Sequence, residues 1–250
     1  MNKFYDYSSK ELKDLINSKK IIATLSIGSI EQHGNHLPLS VDFDIANEIA
    51  KRICELHNTD MIYLPPIYYG ARSLPQSGGV NDNDSSISLS GITLIHMFSD
   101  ILISLYRIGL RHMIIINAHY ENELFICEAA EKLKSEIPGF KLIILSWWNL
   151  ISDKFINENI GDRFAGWDRE HAGYCETSIM LYLYPEKVRY INEIYYQKGI
   201  GGIYDNFFYL NNDQPNIGVL SSSLGANAQI GEKMLNIVID ELERIIAELK

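Results

Sequence analysis

Apolar positions along the chain fall into two recurring patterns. Short, nearly continuous apolar runs stand at residues 21–27, 61–64, 113–116 and 142–145. Runs of that length without polar alternation predict strands covered on both faces. Between them, apolar residues recur every three to four positions over residues 44–56, 92–108 and 121–137, and Pro138-Gly139 marks a stop for the last. These lengths suit crossover helices. Ser8-Ser9-Lys10-Glu11 has the spacing of a capping box, and Leu12, Leu15 and Ile16 follow as the stripe of a first helix. Residues 178–184 read as a helix ended by Pro185. Residues 229–250 read as a closing helix with Met234, Ile237, Val238, Leu242, Ile245 and Ile246 on its apolar face. Strands that alternate with helices predict an α/β fold, a mainly parallel sheet with helices on both sides.

No internal repeat, low-complexity segment or Pro/Ser-rich linker interrupts this pattern, so residues 1–250 are expected to form a single domain. Two long irregular stretches, 68–90 and 198–218, read equally as a rim or lid over a site and as surface excursions or subunit contacts.

The formal net charge of −10 argues against nucleic acid or an anionic membrane as partner and favours a small neutral or cationic substrate. Cys54, Cys127 and Cys175 are scattered, which excludes a disulfide framework and a thiolate zinc site. The N-terminus lacks an apolar signal core and no stretch approaches the length of a membrane span, so a cytoplasmic protein is expected.

Candidate chemistry collects just after two of the predicted strands. Glu31-Gln32-His33-Gly34-Asn35-His36-Leu37-Pro38-Leu39-Ser40-Val41-Asp42 follows the first, with Gly28 and Gly34 allowing the backbone to turn. In an extended segment residues two apart share a face, so Glu31 and His33 point the same way. Asn117-Ala118-His119-Tyr120-Glu121-Asn122 follows another strand and repeats the spacing in reverse, His then acid. With Asp42 as a fifth ligand able to bridge, the set fits two metal ions better than one. Mixed His and carboxylate ligation is the catalytic rather than the structural pattern, so the set reads as hydrolytic. Trp167-Asp168-Arg169-Glu170-His171-Ala172-Gly173, with Glu176 beyond it, adds a histidine beside an acid. Such a pair suits a general acid, because the negative neighbour favours the imidazolium form.

These three segments resemble the creatininase (creatinine amidohydrolase) family. The resemblance rests on Glu-Gln-His-Gly-x-His-Leu-Pro-Leu with an Asp shortly after, on Asn-x-His-Tyr-Glu-Asn, and on Trp-Asp-x-Glu-His-Ala-Gly-x-x-Glu-Thr-Ser. It runs from the first strand to the C-terminal helix. His119-Tyr120-Glu121-Asn122 and Trp167-Asp168 resemble the creatinine-hydrolysing branch, where many relatives carry Asn-Gly-His-Gly-Gly-Asn. The resemblance implies a three-layer α/β/α fold, a binuclear centre of Zn2+ and/or Mn2+, and a hexamer built from dimers. It implies that Glu31, Asp42 and His119 hold one metal and that His33, Asp42 and Glu121 hold the other. Tyr120, Trp147, Trp167, Asp168 and His171 fall where substrate is contacted. Two departures stand out: Gly79-Val80-Asn81-Asp82-Asn83-Asp84-Ser85-Ser86 replaces a Gly-His and Pro-Gly-Thr segment, and Ala118 replaces a Gly.

The expected reaction is hydrolysis of a cyclic amide, creatinine to creatine, by a metal-bridging hydroxide. His171, paired with a carboxylate such as Glu170, would protonate the leaving ring nitrogen. Trp147 and Trp167 would sandwich the flat ring, with Asp168 accepting hydrogen bonds and Trp148 left to packing. Glu176 reads evenly as a group that orients a ligand or His171 and as an ordinary helix residue. His36 is expected to brace its loop, His57, His96 and His112 to be structural, and Asn117 and Asn122 to pin the His119 loop. Two rivals stay open: a sister amidohydrolase acting on another cyclic or formylated amide, and a metal-binding protein that has lost turnover.

Overall fold

The computed structural model describes residues 1–73, 85–189 and 218–249. The expected strands form as β1 (Ile22–Ile27), β2 (Met61–Tyr63), β3 (His112–Asn117) and β4 (Lys141–Ser146). They pair in parallel in the order β2-β1-β3-β4. Alternate side chains feed two cores. Ala23, Leu25 and Ile27 of β1 join Met113 and Ile115 of β3 on one face. Ile22 joins Ile114 and Ile116 on the other.

Each core is closed by helices whose apolar stripes the sequence carries. Helices α1 (Ser9–Ser18), α3 (Gly91–Arg107) and α4 (Asn122–Leu133) cover the first, with Leu94, Phe98, Leu102 and Ile126 fully buried beneath them. Helices α2 (Val41–Leu56), α6 (Tyr174–Leu183) and α7 (Ala228–Leu249) cover the second. The result is the expected three-layer α/β/α fold. α1 opens on the capping box, with Ser8 accepting from the Glu11 amide and Glu11 from the Ser8 amide.

Some boundaries differ from expectation, and three of them matter for function. α2 starts at Val41 rather than 44, so Asp42 lies in a helix first turn. α6 starts at Tyr174 rather than 178, which brings Glu176 into its first turn. α4 starts one residue past Glu121 and ends at Leu133, where the chain tightens into i→i+3 bonds (Lys134 N to Glu131 O, Glu136 N to Leu133 O) before Pro138. A 3-10 turn at Trp147–Leu150 and the short helix α5 (Asp153–Asn159) were not anticipated. Of the two long irregular stretches, 74–84 and 190–217 lie outside the described residues, and most of the departing 79–86 segment lies with them.

Strand order locates the site. From β1 the chain passes through α2 to β2 on one side, then through α3 to β3 on the other side of β1. The reversal opens a crevice over the carboxyl ends of β1 and β3, where α/β proteins place their ligands.

Gly28 sits at that crevice for a reason other than the expected turn. Its φ is not positive, whereas that of Gly34 is 65°. A Cβ on Gly28 would meet Phe43 N at 2.2 Å and the Asp42 carbonyl carbon at 2.5 Å, so the missing side chain lets α2 abut the end of β1. Backbone on both sides leaves nothing flexible to yield. Gly28→Ala is therefore expected to destabilise the fold by about 1–3 kcal/mol, as overpacking does, and to weaken metal binding by displacing Asp42. Chemical denaturation and metal titration of the variant check both effects, and wild-type values in both would refute the account.

Candidate metal centre and substrate pocket

Three chain segments are tied together at the crevice by two buried asparagines. Asn122 donates to the Gly28 carbonyl (3.0 Å) and accepts from the Ala71 amide (2.8 Å). Asn117 accepts from the His119 amide (3.1 Å) and donates to the His119 carbonyl (2.8 Å). Both pin the His119 loop as expected. The Glu31 loop is held by its own amide on Leu39 O (2.9 Å), by the Gln32 amide on Ser86 Oγ (3.0 Å), and by a hydrogen bond from Ser73 to the Glu31 carboxylate. His36 braces this loop against α6, its Nε2 lying 3.0 Å from Thr177 Oγ1. His57, His96 and His112 do not line the pocket.

Asp42 is the centre of the cluster. Its Oδ1 lies 3.1 Å from His33 Nε2 and its Oδ2 3.0 Å from His119 Nδ1. Glu31 Oε2 is 3.0 Å from the same His119 nitrogen, and Glu176 Oε2 is 3.7 Å from His33 Nε2. Among the described residues, three groups bring their ligand atoms within 4.8 Å of one another: Glu31, Asp42 and His119; His33, Asp42 and Glu176; and Glu31, His33 and His171.

The first group matches the expected set. The second brings Glu176 beside His33 and Asp42, while Glu121, expected there, lines the same pocket. Alternation holds only while a chain is extended, and residues 119–121 turn instead, with Glu121 at φ −70°, ψ −19°. Glu121 therefore reaches the opposite edge of the His119 ring, its Oε2 3.3 Å from Nε2.

Backbone carbonyls set the tautomers. Glu31 O faces His33 Nδ1 at 3.1 Å, and Ala71 O faces His119 Nε2 at 2.9 Å. A ring nitrogen that donates to a carbonyl leaves the other with its lone pair free, so His33 Nε2 and His119 Nδ1 both present lone pairs toward Asp42. His33 Nε2 and Glu31 Oε2 are buried and make no hydrogen bond of good geometry. Six carboxylates, Glu31, Asp42, Glu121, Asp168, Glu170 and Glu176, line one pocket, an excess of acid that suits divalent cations. Inward-facing lone pairs, orphaned buried atoms and surplus negative charge together fit a metal centre.

The electrostatics agree. Burial opposes the charged form of His33, but Asp42 and Glu176 outweigh it and raise its pKa to about 10. Burial is likewise overcome at His119, raised by Glu31 and Asp42. Burial would also raise Glu31, yet His119 and His171 hold it below the usual carboxylate range. Glu176 behaves differently: burial pushes it up to about 8, only partly offset by His33. A field that draws protons onto imidazoles this strongly also draws cations.

Above the cluster, the pocket is walled by Tyr120, Trp147, Trp148, Trp167, Asp168, His171 and Leu220. Trp147 is only 1% exposed and meets Trp167 edge-on, their centroids 5.6 Å apart at 87°. Both rings line the pocket, where Trp167 presents an edge-on contact to Trp147. Trp148, assigned to packing from sequence, does pack against the core, and it also lies over Tyr120 (6.3 Å, 26°) at the rim of the pocket. The adjacent Trp147-Trp148 pair gave no signal for choosing between them. Asp168 is exposed at the same rim.

His171 closes the pocket on the α6 side. Its Nε2 lies 3.0 Å from Gln32 O and 3.9 Å from Glu31 Oε1, and its ring centroid is 4.3 Å from that of His33. Burial and the neighbouring His33 lower its pKa, while Glu31 and Asp42 pull toward the expected imidazolium. The expected pairing with Glu170 is absent: among the described residues, no hydrogen bond or ion pair joins the Glu170 carboxylate to the His171 ring. Glu170 accepts instead from the amides of Cys175 (2.6 Å) and Glu176 (3.2 Å).

Fold and site define a metal-dependent hydrolase of the α/β class. A family model described as Creatininase, creatinine amidohydrolase, matches residues 5–246. The creatinine amidohydrolase of Pseudomonas putida is 32% identical over 245 residues, 96% of this chain and 94% of that protein. Solved creatininase structures, one a Mn form and one a variant of Zn-Zn type, superpose with a TM-score of 0.88 at 32% and 31% identity, covering 98% of this chain and 97% of theirs. The mycofactocin precursor peptide peptidase of Mycobacterium tuberculosis is 28% identical over 66% of this chain and 59% of its own length. The chain belongs to the creatininase family and is a metal-dependent amidohydrolase. Among the described residues no helix is long and apolar enough to cross a membrane.

Proposed function

We propose that this protein hydrolyses creatinine to creatine with two divalent metal ions, Zn2+ and/or Mn2+, per subunit. The observation that carries this reading is one pocket in which a His- and carboxylate-lined floor meets an aromatic wall with an exposed acid, Asp168, at its rim. Near-full-length similarity to a creatinine amidohydrolase supports it. Glu31, Asp42 and His119 would hold one ion, and His33 and Asp42 the other, its set completed by Glu121 or by Glu176. Bound there, divalent cations supply Lewis-acid polarisation of the ring carbonyl and lower the pKa of water.

The chain's own groups do the rest. Tyr120, Trp148 and Trp167 offer apolar faces to a flat ring and keep bulk water from the floor. Asp168 accepts hydrogen bonds from the amino-imine side of the ring. Glu121, which lines the pocket 3.3 Å from His119 Nε2, takes the proton released as water attacks the carbonyl. Cleavage of the ring C–N bond leaves a nitrogen too basic to depart as an anion. His171 donates its proton there, and the Gln32 carbonyl keeps that proton on Nε2, the nitrogen nearest Glu31. Burial lowers the His171 pKa and so makes the imidazolium the stronger acid, while Glu31 and Asp42 favour formation of that charged form.

We read residues 1–250 as one catalytic domain, supported by two cores that share a single sheet, and as the subunit of a cytoplasmic homohexamer. The second reading, hydrolysis of another cyclic or formylated amide, draws on the family relative named for a peptide substrate. One assay separates them. Protein loaded with Mn2+ or Zn2+ is incubated with creatinine and creatine is measured. Its formation at an enzymatic rate is expected, and none with either metal would leave the second reading standing.

A further inference from the structure

We propose that Glu170 is a positioning residue for His171: its buried carboxylate holds the first turn of α6 and, with Glu176, locks the strained turn that aims the imidazole into the site. The proposal rests on the reading of His171 as the proton donor.

Gly173 precedes α6 and supplies no side-chain cap. The helix's orphan amides at Cys175 and Glu176 are taken by Glu170, which folds back from three residues before the cap. Anionic acceptors at a helix N-terminus are favoured by the unsatisfied amides and by the dipole. Burial pushes the Glu170 carboxyl up to about 7, with the two amides working the other way.

Between Glu170 and the helix the chain makes a turn it would not choose unaided. Ala172 has φ +53°, and it is the only non-glycine residue with a positive φ among those described. An alanine there is strained, and such strain persists only where surrounding contacts over-determine it. Those contacts are visible. The Ala172 amide donates to Glu176 Oε2 at 2.7 Å, and the His171 carbonyl accepts from the Leu220 amide at 3.1 Å. A Cβ on Gly173 would lie 2.1 Å from Ser221 Oγ and 2.8 Å from both Glu170 oxygens, so the next residue must be glycine for the carboxylate to pass. The ring of His171 is thus aimed by its backbone, and Glu170 acts on it without touching it.

The test compares wild type, E170A, E170Q, E170A/A172G and H171A, all loaded with Mn2+. E170A is expected to lose about tenfold to a hundredfold in kcat per metal-loaded subunit, the usual cost of a lost supporting contact, with KM unchanged. E170Q should recover most of this, because its amide oxygen still accepts from Cys175 and Glu176. E170A/A172G should recover part, because glycine adopts the left-handed turn without strain. The pH at which kcat falls by half should match wild type in E170Q. Crystal structures should show the His171 ring displaced from Gln32 in E170A and in place in E170Q. A shifted pH profile in E170Q would make Glu170 a proton partner and overturn the proposal, as would wild-type kcat or an undisplaced ring in E170A. H171A separates the two levels: full turnover in H171A would sink the reading of His171 itself, while the ring positions would still report on Glu170.

Discussion

Replacing Asp42 by Asn is expected to strip divalent metal from both positions and to lower kcat/KM by more than about a thousandfold, the largest effect of any single substitution in this chain. Asp42 is the one residue common to both expected metal triads, with one oxygen toward His33 and the other toward His119. Glu31→Gln, by comparison, removes a ligand from one triad and should spare the His33 position. Lewis-acid catalysis is worth several kcal/mol, and at roughly 1.4 kcal/mol per factor of ten its loss gives the stated magnitude. Folding should survive, because Asn keeps the shape of Asp in the first turn of α2 and removes a charge from beside Glu31 and Glu176. Metal per subunit by elemental analysis, kcat/KM, and a thermal melt decide the matter together. A folded variant that keeps both metals and wild-type turnover would refute the shared-ligand arrangement.

His171→Ala is expected to lower kcat by about a hundredfold to ten-thousandfold, the range for a lost general acid, while metal content stays at the wild-type level. The loss should depend on the leaving group. A substrate analogue with an activated ester departs without needing a proton, so its hydrolysis should fall far less. His171 also lies within ligand reach of Glu31 and His33. A fall of one metal per subunit in the variant would therefore make it a ligand instead. Equal losses for ring amide and activated ester would likewise remove it from the protonation step.

Much of the fold was legible because local rules and tertiary packing agree. The four apolar runs became the four parallel strands, since a strand covered by helices on both sides has no solvent face to mark with polar residues. The Ser8 and Glu11 spacing became a capping box because that motif needs only its own backbone. Glu31, His33, Asp42 and His119 could be read as a cluster because two strand exits carried complementary ligands, and the sheet placed β1 next to β3.

The sequence by itself determined the α/β class, the strand exits that carry the chemistry, and four of the residues that converge there, because these depend on periodicity and spacing within continuous segments. Tertiary structure alone decided that Glu176 stands beside His33 and Asp42, that both adjacent tryptophans line the pocket, and what Glu170 holds. Each of those choices depends on where a turn abandons extended geometry, or on where a helix from a distant part of the chain docks. Glu121 meets the far edge of the His119 ring because residues 119–121 bend, and Glu176 enters the floor because α6 packs against α2 and α7. A side chain's partner across space is fixed by the packing of whole elements, which spacing along the chain does not encode.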